Sequence, residues 1–193
     1  MKRRILTFIM LPIFLFSCHR KAAVPDVERG QIDSVVYSVG DADSLARVMD
    51  SFISAGNLYG EMVAARELGK KLRNASQFYE AIDVHKRGLV AAEKLRDTVQ
   101  IVQALNNIGT NYRRLAILDE ASSYHYQALT YCDQYSGSRN PDDRTARKNR
   151  VVSLNGIGNV QLTLGNADEA ENAFRQALKG ENELGSALGQ VIN

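Results

Sequence analysis

Residues 102–129, VQALNNIGTNYRRLAILDEASSYHYQAL, decide how the rest of the chain is to be read. Leu105, Ile108, Gly109, Tyr112 and Leu115 recur at three- and four-residue intervals and share one face of a helix. Leu118, Ala121, His125 and Ala128 do the same for a second helix directly after it. A hairpin of this kind leaves its apolar face open, so it has to stack on neighbours of its own type. Near-copies of the stretch lie on both sides of it.

Aligned on a shared Gly and Ala, three copies stand out. Leu68-Gly69 with Ala81, Ile108-Gly109 with Ala121, and Ile157-Gly158 with Ala170 each keep a Gly-to-Ala step of 12 residues, and the copies are offset by 40 and then 49. The pattern resembles the tetratricopeptide repeat, a helix–turn–helix unit of about 34 residues. The second copy carries it on Leu105, Ile108, Gly109, Tyr112, Ala121, His125 and Ala128. The third has Leu154, Ile157, Gly158, Ala170, Phe174 and Ala177, with Gly165 at the turn between helices. The first is looser, with Leu68, Gly69, Leu72, Ala81, His85 and Gly88. It departs from the family in its longer period and in lacking the proline near the end of the unit, which predicts extended second helices. Gly and Ala belong where two helix backbones approach closely, with larger side chains beside them. The resemblance covers about residues 58–193 and implies an all-α fold: a right-handed α-solenoid of stacked helix–turn–helix repeats, preceded by a short helix and a signal peptide.

The chain divides accordingly. Residues 1–17 are the signal peptide, 18–40 a flexible tether, and 41–57 an N-terminal helix capped by Asp41 or Asp43 and ended at Gly56-Asn57. Residues 58–97, 98–135 and 146–185 are the three repeats. Asp97 with Gln100, and Asn166 with Glu169, have capping-box spacing at helix starts. Residues 136–145 form a loop insertion in which Pro141 opposes helix. Residues 186–193 begin an incomplete fourth repeat, and the absence of a polar capping helix there predicts a longer array.

The leader is a targeting signal. Lys2, Arg3 and Arg4 precede an apolar run from Ile5 to Phe16. Twelve residues make about 18 Å of helix, short of the roughly 30 Å hydrocarbon core, so the run is a signal peptide and not a span. Residues 15–18, LFSC, resemble a bacterial lipobox, which implies cleavage before Cys18, a diacylglyceryl thioether on its sulfur, and a place in the cell envelope. His19, Arg20 and Lys21 follow, without the acidic residue that retains some lipoproteins in the inner membrane, so the expected location is the outer membrane facing the periplasm. Without residues 1–17, 21 Lys and Arg face 22 Asp and Glu, a balance that makes no case for nucleic-acid binding. The other cysteine, Cys132, has no partner for an intramolecular disulfide after processing and is expected to pack.

Candidate functional residues come from the resemblance. In the family, five positions of each first helix line a concave groove. Carried over, these are Val63, Arg66, Lys70, Arg73 and Asn74, then Gln103, Asn106, Thr110, Arg113 and Arg114, then Val152, Asn155, Asn159, Leu162 and Thr163. Five are cations and none is a carboxylate, which suits a peptide with acidic side chains or a free carboxylate. Asn106 and Asn155 stand out, because that position is not an Asn in the family pattern. His85 and His125 share a repeat position that normally carries a packing aromatic, and neither has Cys or carboxylate at ligand spacing, so packing is expected and no metal. Gly156-Ile157-Gly158 lacks a third glycine and lies inside a helix, so it is no dinucleotide fingerprint. Tyr112, Tyr124, Tyr126, Tyr131 and Tyr135 fall at helical spacing and are expected between helices. No Ser/His/Asp or Cys/His set stands out. The expectation is a non-catalytic protein- or peptide-binding scaffold without cofactor, anchored in a bacterial envelope membrane. The alternative is the extracytoplasmic sensor region of a longer signalling protein.

Overall fold

The structure, a computed structural model, describes residues 25–135 and 143–185. The expected signal peptide, Cys18, most of the expected loop insertion and residues 186–193 lie outside the described residues. Those described form α1 (Asp26–Ser38), α2 (Ala42–Ser54), α3 (Leu58–Asn74), α4 (Phe78–Leu95), α5 (Thr98–Arg114), α6 (Leu118–Tyr135), α7 (Asp143–Leu164) and α8 (Ala167–Leu184), with no strand among them. None of these helices is long and apolar enough to cross a membrane.

Turn geometry sets the repeat. Residues with left-handed backbone follow the helices at Gly56, Ser76, Arg96, Ala116, Gly165 and Gly185, 20 residues apart except for the long step from Ala116 to Gly165. Such a residue reverses the chain within two or three positions and starts the next helix. A period of 40 is therefore two equal halves. The lengthening expected in the second helices is shared by the first: α3 and α5 have 17 residues, α4 and α6 have 18.

Side-chain caps start several helices. Asp41 accepts from Ser44 N, Asn57 from Gly60 N, and Asp97 from Gln100 N. Asn166 does not cap α8. Its side-chain amide instead donates to Gln161 Oε1 at 2.8 Å, a side-chain partner that competes with the capping role.

The helices pair as α3 with α4, α5 with α6 and α7 with α8, while α4 packs on α5 and α6 on α7. Helices α3, α5 and α7 lie side by side as an inner layer. Ring-into-glycine contacts seal the pairs. The ring of His85 fills the space over Gly69, Phe174 fills that over Gly158, and His125 sits over both Gly109 and Gly156. A Cβ at these glycines would stand 2.3 to 2.9 Å from the ring atoms. Both histidines are about 1% exposed, which makes them packing residues as expected. Cys132 is also buried, and burial pushes its thiol up to about 11, as befits an inert packing group.

Three expectations need correction. The predicted tether at 18–40 is helical from Asp26, because Ile32 and Val36 lie one turn apart and bury against α3. Tyr59 Oη donates to Asp33, Arg66 binds the Tyr37 hydroxyl, and Lys71 reaches the Gly40 carbonyl. These contacts climb both helices in the same direction, so α1 runs parallel to α3. Second, α7 starts at Asp143, inside the predicted loop of 136–145 and directly after the residues that follow Pro141. Third, Tyr112 and Tyr124 do stack, with centroids 5.5 Å apart, but Tyr126 and Tyr131 are exposed on the outer side of α6. Their spacing puts them off the buried stripe of Ala121, His125, Ala128 and Cys132. The side chain of Tyr135 is outside the described set.

Candidate functional site

The inner faces of α3, α5 and α7, with Tyr37 of α1 at one side, form a cleft of about 400 Å³. Arg66, Glu67, Lys70, Gln103, Asn106, Asn107, Asn149 and Val152 line it. Of the candidate residues, Arg66, Lys70, Gln103, Asn106 and Val152 are brought together here.

Their partners change the electrostatic reading. Arg66 pairs with Glu67 at 3.0 Å and donates to Gln100 at 2.9 Å, while Lys70 reaches the same Glu67 oxygen at 2.9 Å. Burial pushes the Glu67 carboxyl up, but hydrogen bonds from Lys70 and Arg66 outweigh it and hold the group below its usual range. The cleft therefore does contain a carboxylate, contrary to expectation, and two of the five cations share it, which leaves a net charge of about +1 among the three groups. Sequence reasoning missed Glu67 because it sits one position away from the residues carried over. Tyr37 was missed because it lay in the predicted tether.

The other three cations form a second group. Arg73 and Arg113 are half-buried and Arg114 is exposed, at the C-terminal ends of α3 and α5. Burial first, and then the charge of Arg114, lowers the pKa of both Arg73 and Arg113. Arg73 donates to the Asn107 side chain at 3.2 Å. Among the described residues, no carboxylate forms an ion pair with Arg73, Arg113 or Arg114. The helix C-termini favour cations there, but the charge of Arg114 acting on both Arg73 and Arg113 also favours an added anion.

Asn106 borders the cleft but spends its polar atoms on the seam between helices. It is 4% exposed and turned inward, where its Oδ1 lies 3.0 Å from His125 Nδ1 and its Nδ2 donates to Ser153 Oγ at 2.9 Å. Nδ2 also lies 3.4 Å from the Asn149 carbonyl, and Ser153 Oγ donates to that carbonyl at 3.0 Å. This set ties α5 and α6 to α7. A spare N–H in the core attracts a short amide, and His125 supplies it. Val63 is likewise buried, within the main apolar core.

In repeat 3 the position of His125 is taken by Phe174, which has no N–H. Asn155 keeps a buried Oδ1 without a partner. Asn159 Nδ2 donates to the Asn155 carbonyl at 2.7 Å, and Thr110 and Thr163 donate to the carbonyls four residues back. Asn74, Leu162 and Thr163 are exposed near the helix ends.

Two matched helical hairpins with aromatic-over-glycine seals and a concave inner layer are the decisive geometry, and a family model for the tetratricopeptide repeat matches residues 100–180. Residues 100–180 are tetratricopeptide repeats. No curated protein matches it. Tetratricopeptide repeats commonly mediate protein partner binding, and the match covers the two repeats whose inner helices carry Arg113, Arg114, Asn155 and Asn159. The first tetratricopeptide-like hairpin, α3 and α4, precedes the matched residues and contributes Arg66, Lys70 and Arg73.

Proposed function

We propose that this chain is a non-catalytic scaffold that holds an extended protein segment along α3, α5 and α7, at a bacterial envelope membrane to which Cys18 anchors it. The observation that carries the binding reading is the Arg73, Arg113 and Arg114 group, half-buried in part and without a carboxylate partner among the described residues. Acidic side chains or a terminal carboxylate would complete it by charge-assisted hydrogen bonds. Asn107 and Gln103, along the wall of the neighbouring cleft, offer amides to a peptide backbone. Val152 and Leu162 extend the same layer with exposed apolar surface on α7. The anchor rests on the LFSC tetrapeptide alone.

The test is affinity capture from envelope extract, followed by titration of the captured partner. Losing each guanidinium costs about 1.5–3 kcal/mol, so Arg73→Ala with Arg113→Ala weakens binding by two orders of magnitude or more, and more so at low salt. Full affinity in that double variant sinks the reading. The anchor is tested separately: Cys18→Ala abolishes palmitate labelling and releases the chain from the membrane fraction, and unchanged labelling refutes it.

A further inference from the structure

His85 and His125 are buried titratable groups that the groove does not use. In repeat 3 the same place is filled by Phe174 over Gly158, so a hydrocarbon ring is sufficient to seal the notch. What the histidines add is a nitrogen that can bind a proton. Nε2 of each is buried and has no partner. The Asn149 carbonyl can only accept, which fixes Nδ2 of Asn106 as the donor toward it and leaves Oδ1 to accept from His125 Nδ1. A second proton on His125 therefore goes to Nε2, which abuts Gly109 and Gly156 and finds no acceptor.

The charged surroundings oppose that proton as well. From α3, Lys70 and Arg73 act against charge on His85 and Glu67 acts for it. The void beside His85, of about 10 Å³, is lined by Arg66 and by the uncharged Gln100, Gln103 and Asn107 of α5. His125 faces Arg113 of α5, and α7 presents only the uncharged Asn149, Ser153 and Gly156.

We propose that His85 and His125 are acid-release latches: protonation expels the two rings from their glycine notches and unpacks α3 from α4 and α5 from α6 and α7, while the Phe174 notch keeps α7 on α8. The inference does not depend on what the groove holds. Burial, with the neighbouring cations, holds both imidazoles down to about 4. A folded-state value below the ordinary one means that the neutral rings stabilise the fold above about pH 6.5 and that this is lost as pH falls toward about 4. At about pH 5 the loss is about thirtyfold in the folded-to-unfolded ratio per histidine, or about a thousandfold for both.

The experiment compares urea unfolding of the full chain and of a His85→Phe, His125→Phe double variant between about pH 7.5 and about pH 4.5. Carboxylates titrate in both, so only the difference counts. The wild-type chain is expected to lose about a thousandfold more of its folded-to-unfolded ratio by about pH 5. Parallel losses overturn the proposal. A second readout covers a double variant that fails to fold: ε1-labelled histidine resonances in the wild-type chain. Rings of His85 and His125 that stay neutral for as long as the folded signals persist support the latch; rings that titrate near pH 6.5 in the folded chain overturn it.

Discussion

The two histidine notches hold the same residue at the same repeat position and are built differently. At His85 the residue in the equivalent place to Asn106 is Arg66, whose long side chain leaves the seam for the cleft and binds Glu67, Gln100 and Tyr37. The space beside the ring is a void of about 10 Å³, room for about one water molecule. At His125 the short Asn106 turns inward and joins the ring to Ser153 and Asn149 of α7. One repeat position thus serves the cleft in repeat 1, and in repeat 2 it borders the cleft while its hydrogen bonds go to the seam. Reach decides which: a guanidinium needs solvent or an anion, whereas an amide can be fully satisfied inside.

That contrast can be broken at its glycines first. Gly69→Ala and Gly156→Ala each drive a Cβ into an imidazole, 2.3 Å from His85 and 2.4 Å from His125. Each is expected to cost about 2–3 kcal/mol by urea unfolding. Adding His85→Ala recovers part of the loss at the first notch. Adding His125→Ala recovers less at the second, because it strips the partner from Asn106; equal recovery at both would mean that the polar set contributes nothing.

Next in size, Asn106→Ala leaves buried partners unsatisfied and is expected to lower stability by about 2 kcal/mol. Arg66→Ala, at the equivalent position, should cost less, about 1 kcal/mol, since Lys70 still pairs with Glu67 when the guanidinium is gone. Similar losses from the two would erase the division between seam and cleft.

The smallest effects test the turns that both seams share. Ser76 and Ala116 hold left-handed backbone without being glycine. Ser76→Gly and Ala116→Gly should each raise stability by about 0.5–1 kcal/mol, read from the melting temperature. A loss at either position would show that the side chain there makes a contact worth more than the relieved strain.

Much of this was legible in residue spacing. The Gly and Ala positions marked where backbones meet, and His85, His125 and Phe174 were recognisable as the rings that cover them, because close helix packing admits few alternatives. α1 was not legible: it buries only Ile32 and Val36, too few to stand out from a polar, glycine-containing stretch. The cleft was legible in outline and wrong in detail. Val63 faced the core, Asn106 bordered the cleft with its hydrogen bonds turned to the seam, and Glu67 and Tyr37 entered from outside the carried-over positions. Helical spacing places a Cβ on a face to within about one position, which does not say whether a side chain at the boundary turns in or out.

By itself, then, the sequence determined the all-helical repeat, its hairpins and its glycine notches, because periodicity and small residues act locally and recur. Only the tertiary structure decided that Asn106 bonds across the seam, that Arg66 and Lys70 share the Glu67 carboxylate, and that Arg73, Arg113 and Arg114 have no carboxylate partner among the described residues. Those outcomes depend on which partner from another helix arrives within hydrogen-bonding distance, and the spacing of residues along one helix carries no record of that.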